Sequence, residues 1–304
     1  MNSGAAAVKA VLPSPALAVS RSPLADYLEL TKPRVTLLIL MSTCVGFYLG
    51  SVGRLNLSLM AFTLLGTALA ASGTAALNQY WERDTDGKML RTKNRPLPAG
   101  RMFPWKALCF GIALSLAGIV LLAWLTNFLA SLLAALTLGS YLFLYTPLKT
   151  RTPHCTLVGA FPGAIPPLIG WVAARGEISL LACVLYLMLF LWQFPHFLAI
   201  AWMYREDYAR GGIAMWPVIE PDGKTTGRQI ILYSAALIPI SLLPSLVGFT
   251  GALYLCGALI LGLAYLHFGV RVAVVKSTMQ ARRLLQASVL YLPLLYVLLL
   301  VDAK

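Results

Sequence analysis

Nine long apolar runs dominate the chain, at about residues 35–53, 56–77, 107–125, 128–146, 156–174, 178–203, 229–249, 251–270 and 284–302. Each approaches the roughly 20 residues that a helix needs to cross a hydrocarbon core. The pattern predicts an all-α polytopic membrane protein with nine transmembrane helices. The polar interruptions come in two lengths. Turns at 54–55, 126–127, 175–177 and 250 are short, whereas the segments 78–106 and 204–228 are long and mix acids with bases. Span five opens with Pro162, Pro166 and Pro167 among Gly159, Gly163 and Gly170. Such a break is tolerated where a helix is buried or lines a cavity.

Charge gives the spans a direction. Nine crossings put the termini on opposite sides. With the N-terminus inside, the inside segments carry 21 of the 24 Lys and Arg, and only Arg54, Arg175 and Lys304 lie outside. That asymmetry is a strong positive-inside signal. It predicts an inside N-terminus, an outside C-terminus and two long loops on the cytoplasmic face. The formal net charge of +13 therefore reflects loop placement next to a lipid bilayer and not a nucleic-acid footprint. The five cysteines are scattered with no CxxC pair, so neither a disulfide frame nor a zinc site is expected.

Residues 1–25 are rich in Ala, Ser and Pro and read as a disordered cytoplasmic tail. Pro13 and Pro15 interrupt any apolar core of a signal peptide. The membrane domain is expected over 26–304. It begins with an amphipathic lead-in from Asp26 to Arg34, where Pro33 opens the first span.

The densest chemistry lies between Asn78 and Arg101, NQYWERDTDGKMLRTKNRPLPAGR. On a helix Asn78, Glu82 and Asp86 are spaced i, i+4, i+8 and share one face, successive side chains about 6 Å apart along the axis. Asp84 points away from that face, and Gly87 is a candidate helix stop. Two carboxylates and an amide form a hard-oxygen site of the kind Mg2+ prefers, with phosphate completing its shell. Arg91 and Arg95 follow, four apart, and suit a phosphate clamp. The competing reading is an ordinary basic loop required by topology.

Three further segments carry candidates. In YREDYARGG, Asp207 is the acid nearest the end of span six, flanked by Arg205, and Gly211-Gly212 ends the helix. If the two long loops face each other, Asp207 completes the metal site begun by Asn78, Glu82 and Asp86. In YTPLKTRTPH, Lys149 and Arg151 either hold phosphate or anchor lipid head groups. Span six contains WQFPHF, with His196 about two turns inside its end. An ionisable residue within a span is a functional candidate by default, and its aromatic neighbours suit a flat, apolar, iron-bearing substrate. The alternative is a histidine bonded to a neighbouring helix. No P-loop, HExxH or serine-nucleophile elbow occurs.

Taken together, the segment 78–101, PHF at 195–197, REDYARGG at 205–212 and YTPLKTRTP at 145–153 resemble the intramembrane aromatic prenyltransferase superfamily, and within it the branch that farnesylates heme. The resemblance covers about residues 25–300. Gln79 stands where the superfamily commonly has Asp, Met203 where many members have a second Asp, and His154-Cys155 where Gln-Asn is more usual. The site thus holds fewer acids than the general pattern.

The resemblance implies nine helices around a central cavity in a bacterial inner membrane, with the active site on the cytoplasmic side. It implies transfer of a farnesyl group from farnesyl diphosphate to a vinyl group of heme b, with addition of water, giving heme o. Mg2+ would be held by Asn78, Glu82, Asp86 and Asp207. Arg91, Arg95, Lys149, Arg151 and Arg205 would neutralise the diphosphate, and His196 would contact the heme. The implied partners are terminal-oxidase assembly or a heme a synthase. A quinone-type prenyltransferase is the rival within the superfamily. A secondary transporter is the rival outside it, although every acid of this chain lies at a span end or in a loop.

Overall fold

A computed structural model describes residues 22–304 except Val52. Residues 1–21 of the expected tail lie outside the described residues. Its last four residues differ from the expectation: Ser22 caps a helix, α1 (Pro23–Leu30), by accepting the Ala25 N–H. A Ser followed by Pro at the first helical position is a strong start signal.

Among the described residues nine helical spans are long and apolar enough to cross a bilayer. They are α2 (Pro33–Gly50), α3 (Leu57–Lys88), α4 (Pro104–Leu125), α5 (Phe128–Gly139) continuing through a π-helical segment (Ser140–Tyr145) into α6 (Thr146–Leu148), α7 (Cys155–Gly163) with α8 (Pro166–Arg175), α9 (Leu180–Met203), α12 (Lys224–Leu246), α13 (Ala252–Val275) and α14 (Thr278–Val301). Two short helices, α10 (Arg205–Arg210) and α11 (Trp216–Ile219), lie between α9 and α12. No strand occurs among the described residues.

Sequence-coded caps set many of these boundaries. Asn56, Asn127, Ser179 and Ser277 each accept an N–H from the first turn of the helix they precede. Asn127 also donates to the Val172 carbonyl at 2.6 Å, tying the α4–α5 turn to α8. The expected interruption of span five is present, with α7 ending at Gly163 and α8 starting at Pro166. Tight packing supports this broken span. At Gly170 a Cβ would collide with the Thr43 carbonyl, and at Gly46 with that of Pro167. The backbones of α2 and α8 approach as only small residues allow.

Helices neighbour one another in a closed circuit. α3 packs on α2 and α4, α5 on α4 and α8, α9 on α7 and α8, α12 on α9 and α13, and α14 on α13, α9 and α2. Large apolar side chains such as Trp124, Phe128 and Leu253 remain exposed on the outside, as lipid-facing positions should.

α3 positions the chemistry. Its 32 residues extend about 48 Å, well beyond an apolar layer of about 30 Å. The apolar run stops at Leu77, but the helix continues for three more turns through Asn78, Glu82 and Asp86 and passes Gly87 before ending at Lys88. The loop that follows is tied down by Arg101. Its guanidinium donates to Asp26 (2.9 Å), Glu29 (3.3 Å) and the Asn94 carbonyl (2.8 Å). The amphipathic α1 is thereby fastened to the first long loop.

Candidate active site

Asn78, Glu82 and Asp86 share one face of α3, as their spacing requires, and line a single cavity of about 510 Å³ including its mouth. Asn78 and Asp86 are buried, Glu82 is half-buried and Asp84 is exposed. Each oxygen-bearing group is met by a cation from a different part of the chain. Lys32 Nζ donates to Asn78 Oδ1 at 2.9 Å. Lys149 Nζ donates to Glu82 Oε1 at 2.6 Å. Arg95 Nη1 donates to Asp86 Oδ2 at 2.6 Å. The result is a ladder of three oxygen–cation pairs.

The chain geometry behind each cation differs. Arg95 reaches back because the loop after α3 folds at once, with Thr92 Oγ1 donating to the Asp86 carbonyl at 2.9 Å. Lys149 follows the π-helical segment Ser140–Tyr145. Such segments are frequent at functional sites, and this one brings Tyr141 and Tyr145 into the cavity lining. Thr146 then accepts the Asn78 amide N–H at 3.3 Å. Lys149 Nζ also sits 4.5 Å from the centre of the Tyr145 ring.

Lys32 is in the left-handed region, φ 48°, immediately before Pro33. A residue preceding proline is disfavoured in right-handed helix. The left-handed turn separates α1 from α2 and turns the ammonium toward Asn78. Burial, with the Arg95 charge adding to it, lowers the Lys32 pKa to about 7. For Lys149, burial acts to lower the pKa, but the Glu82 carboxylate outweighs it and the ammonium is held well above its ordinary range.

Asp207 reaches the first loop by another route. Its carboxylate accepts the Leu90 N–H at 2.7 Å and the Arg91 N–H at 3.1 Å, and Arg210 donates to it at 2.8 Å. These donors outweigh the burial of Asp207 and lower its pKa. The two long loops therefore do converge. Asp207, however, holds the backbone of the first loop and is not part of the cavity lining, which Asn78, Glu82 and Asp86 share.

Of the five cations expected at phosphate, Arg91, Arg95 and Lys149 line the cavity. Arg151 is exposed outside it, and Arg205 stacks 5.0 Å from the Trp202 ring centre. His196 lies away from this cavity, 2.7 Å from Ser288 Oγ on α14. The sequence reading missed Lys32, Tyr141, Tyr145 and Tyr208 as cavity residues. The TKPR run at 31–34 is the signal for Lys32, since a lysine before proline at a span entrance is biased away from helical geometry. Gln79 also acquires a reason. Its Nε2 donates to the Glu29 and Leu30 carbonyls at 3.3 and 3.0 Å, which an acceptor-only Asp cannot do.

Four cations, Lys32, Arg91, Arg95 and Lys149, face two carboxylates, Glu82 and Asp86, across this cavity. The surplus of positive charge selects an anion. The amide and carboxylate oxygens fit a hard divalent cation that takes the remainder of its shell from phosphate and water. Among the described residues no cluster of three His, Cys, Asp or Glu could form an all-protein cage.

Comparison with known proteins defines the class. Residues 39–299 match the UbiA prenyltransferase family, and the chain belongs to that family. It is 55% identical to the protoheme IX farnesyltransferase of Solibacter usitatus (strain Ellin6076) over 91% of this chain and 98% of that protein. It is 44% identical to the protoheme IX farnesyltransferase of Koribacter versatilis (strain Ellin345) over 96% of each. Among solved structures it resembles a digeranylgeranylglyceryl phosphate synthase, with TM-score 0.77 and 18% identity over 92% of this chain and 98% of that one. It also resembles a UbiA homolog from Archaeoglobus fulgidus bound to GPP and Mg2+, with TM-score 0.64 and 16% identity over 90% and 99% of the two chains.

Proposed function

We propose that the chain transfers the farnesyl group of farnesyl diphosphate to a vinyl group of protoheme IX. The observation that carries the reading is the ladder of Asn78, Glu82 and Asp86 with Lys32, Lys149 and Arg95 around one cavity. The protoheme acceptor rests on relatives that bear that name at 55% and 44% identity.

In this reading the diphosphate enters the cavity, Lys149 and Arg95 turn from their carboxylates and Lys32 from the Asn78 amide oxygen toward its oxygens, and Arg91 joins them. Asn78, Glu82 and Asp86 are then free to hold Mg2+, as the donor chemistry suits and as the Archaeoglobus homolog's bound GPP and Mg2+ suggest. Bound there, Mg2+ supplies Lewis-acid neutralisation of the diphosphate. The four cations stabilise the charge that develops on the leaving diphosphate as the C1–O bond of the substrate breaks. Tyr141 and Tyr145 shield the allylic cation from water. The vinyl group supplies the electrons for the new carbon–carbon bond. Water then adds to the resulting benzylic-type cation and loses a proton, giving hydroxyethylfarnesyl heme and diphosphate. Asp207 orders the loop carrying Arg91 and Arg95, Arg151 and Arg205 attract the substrate to the membrane face, and His196 contacts the porphyrin.

The charge asymmetry of the loops supports a site on the cytoplasmic face with the N-terminus inside, and the bacterial relatives support an inner-membrane location. The product's consumers are terminal-oxidase assembly or a heme a synthase. Purified protein given protoheme IX, farnesyl diphosphate and Mg2+ should release a heme heavier by one farnesyl group and one hydroxyl, resolved by mass spectrometry. Unchanged heme after prolonged incubation with folded protein would overturn the reading.

A further inference from the structure

Helix α1 (Pro23–Leu30) is turned the wrong way round for a helix in water. Its two acids point inward. Asp26 is 4% exposed and, with Glu29, meets the Arg101 guanidinium at 2.9 and 3.3 Å. After the Ser22 cap its exposed positions are all apolar: Pro23, Leu24, Ala25 and Leu28. Leu24 is 78% exposed. Leu28, four residues on and so on the same face, is 58% exposed. A single exposed leucine needs no explanation, but a helix that hides its carboxylates and presents its leucines does.

The position of α1 identifies what covers that face. Only Thr31 and Lys32 separate it from the membrane span α2 (Pro33–Gly50). Its Tyr27 ring meets that of Phe110 edge-on, centroids 4.9 Å apart. Phe110 lies six residues after Pro104, the start of the span α4, about 9 Å along that helix. α1 therefore sits at the depth of the first turns of a span. The loop that Arg101 ties to α1 leads into residues of the same kind. Phe103 and Trp105 are 66% and 61% exposed, and Lys106 Nζ lies 5.5 and 5.8 Å from their ring centres. Exposed aromatic rings beside a lysine at a span entrance suit the lipid headgroup layer. A helix with its leucines outward at that level suits the plane of the headgroup–acyl boundary.

α1 is also connected to the diphosphate cavity. Gln79, next to Asn78 on α3, donates to the Glu29 and Leu30 carbonyls at 3.3 and 3.0 Å. The Thr31 hydroxyl donates to the Leu28 carbonyl at 2.8 Å, and the Thr31 carbonyl accepts the Thr36 hydroxyl at 2.9 Å. Lys32 follows at once in its left-handed turn and donates to Asn78 Oδ1 at 2.9 Å.

We propose that α1 is an interfacial anchor. Leu24 and Leu28 seat in the headgroup–acyl boundary of the phospholipid bilayer, and that seating holds Lys32 against Asn78. The lipid surface is thereby a binding partner that sets the affinity of the cavity for its anion. This coupling rests on the prenyl diphosphate reading given above, whereas the seating itself does not.

The test uses the full-length protein in phosphatidylcholine–phosphatidylglycerol nanodiscs, with the native cysteines replaced by alanine. A nitroxide is placed at Leu24→Cys, at Leu28→Cys or, as a water-facing reference in the first long loop, at Lys93→Cys, an exposed position. The nitroxides at 24 and 28 should be relaxed by lipid-soluble oxygen and shielded from a water-soluble nickel chelate, and that at 93 should behave in the opposite way. Relaxation at 24 and 28 by the nickel chelate would overturn the anchor. So would shielding from both reagents, which a covering protein segment or a second copy would give. Farnesyl diphosphate binding then reads the coupling. Leu24→Asp with Leu28→Asp should weaken it about tenfold with helical circular dichroism unchanged, and Leu24→Phe with Leu28→Phe should leave it at the wild-type value. Lys32→Met should weaken binding in the wild type and add little in the doubly acidic variant. Wild-type affinity in that variant, or full additivity with Lys32→Met, would overturn the coupling. A wild type that bound no farnesyl diphosphate would overturn the prenyl diphosphate reading and the coupling with it, while the nitroxides alone decide the anchor.

Discussion

The carboxylate of Asp207 accepts the backbone N–H of Arg91 at 3.1 Å, joining two loops 116 residues apart in sequence. The adjacent Leu90 N–H makes the second bond, at 2.7 Å. One buried acid thereby fixes the stretch from which Arg91 and Arg95 enter the cavity. Arg91 lies 5.2 and 5.8 Å from the ring centres of Tyr204 and Tyr208, on either side of Asp207. Asp207→Asn keeps one acceptor and loses the charge, which should cost about 1.5–3 kcal/mol locally. Hydrogen exchange at Leu90 and Arg91 should accelerate, and kcat/KM for farnesyl diphosphate should fall roughly 10–100-fold. Unchanged exchange with lost activity would instead indicate direct ligation by Asp207. Because its pKa is lowered, the Asp207 contribution is present above the ordinary carboxylate range and is lost only as pH falls through the depressed value.

Lys32 predicts the pH response of substrate binding. With its pKa lowered to about 7 by burial and then by Arg95, the ammonium is partly deprotonated above neutrality. An anion in the cavity favours the charged form. Binding of farnesyl diphosphate at pH 8 should therefore take up a proton, and affinity should decline by up to about tenfold per pH unit above 7. Calorimetry in two buffers of different ionisation heat measures the uptake, and Lys32→Arg should abolish it. The folded state binds fewer protons than the unfolded one between about 7 and the ordinary lysine value, so this group makes the fold more stable as pH rises across that window.

Glu82 and Lys149 should behave as a coupled pair. Without Mg2+, removing Lys149 leaves an uncompensated carboxylate facing the incoming diphosphate, so under Mg2+-free conditions Lys149→Met should weaken farnesyl diphosphate binding more than the Lys149→Met, Glu82→Gln double variant does. A cycle on the binding constants should give a coupling of about 1–3 kcal/mol. Additive effects would show that the 2.6 Å contact plays no part in binding.

Gln79 is a structural prediction. Replacing it with Asp removes one donor from each of the Glu29 and Leu30 carbonyls and adds a negative charge beside them. Gln79→Asp should lower thermal stability by about 1–3 kcal/mol and loosen α1, read as faster proteolysis near Leu30. An unchanged melting temperature would contradict this.

Much of this architecture was legible because lipid imposes a simple code. The span expected at 128–146 occurs at Phe128–Leu148, and that expected at 107–125 occurs at Pro104–Leu125. The shared face of Asn78, Glu82 and Asp86 followed from helical spacing alone. Errors arose where hydropathy and helix part company. Spans expected from 229 and 284 begin at Lys224 and Thr278, since polar and charged opening turns are helical without being apolar. From the sequence Lys32 carries only topological charge, because its approach to Asn78 depends on a left-handed turn. Tyr141 and Tyr145 enter through a π-helical register that has no sequence period of its own. The reach of Asp207 toward the first loop was visible, but its backbone partners at Leu90 and Arg91 were not, since main-chain donors leave no trace in side-chain identity.

The measurement closest to the centre of this account is farnesyl diphosphate binding as a function of Mg2+, in the wild type and in the Glu82→Gln, Asp86→Asn double variant. The wild type should bind saturably, with affinity that rises with Mg2+ and with inorganic diphosphate as a competitor. The double variant should lose about a hundredfold in affinity and its Mg2+ dependence, while still binding protoheme. Wild-type affinity with intact Mg2+ dependence in the double variant would contradict the assignment of this cavity to the diphosphate.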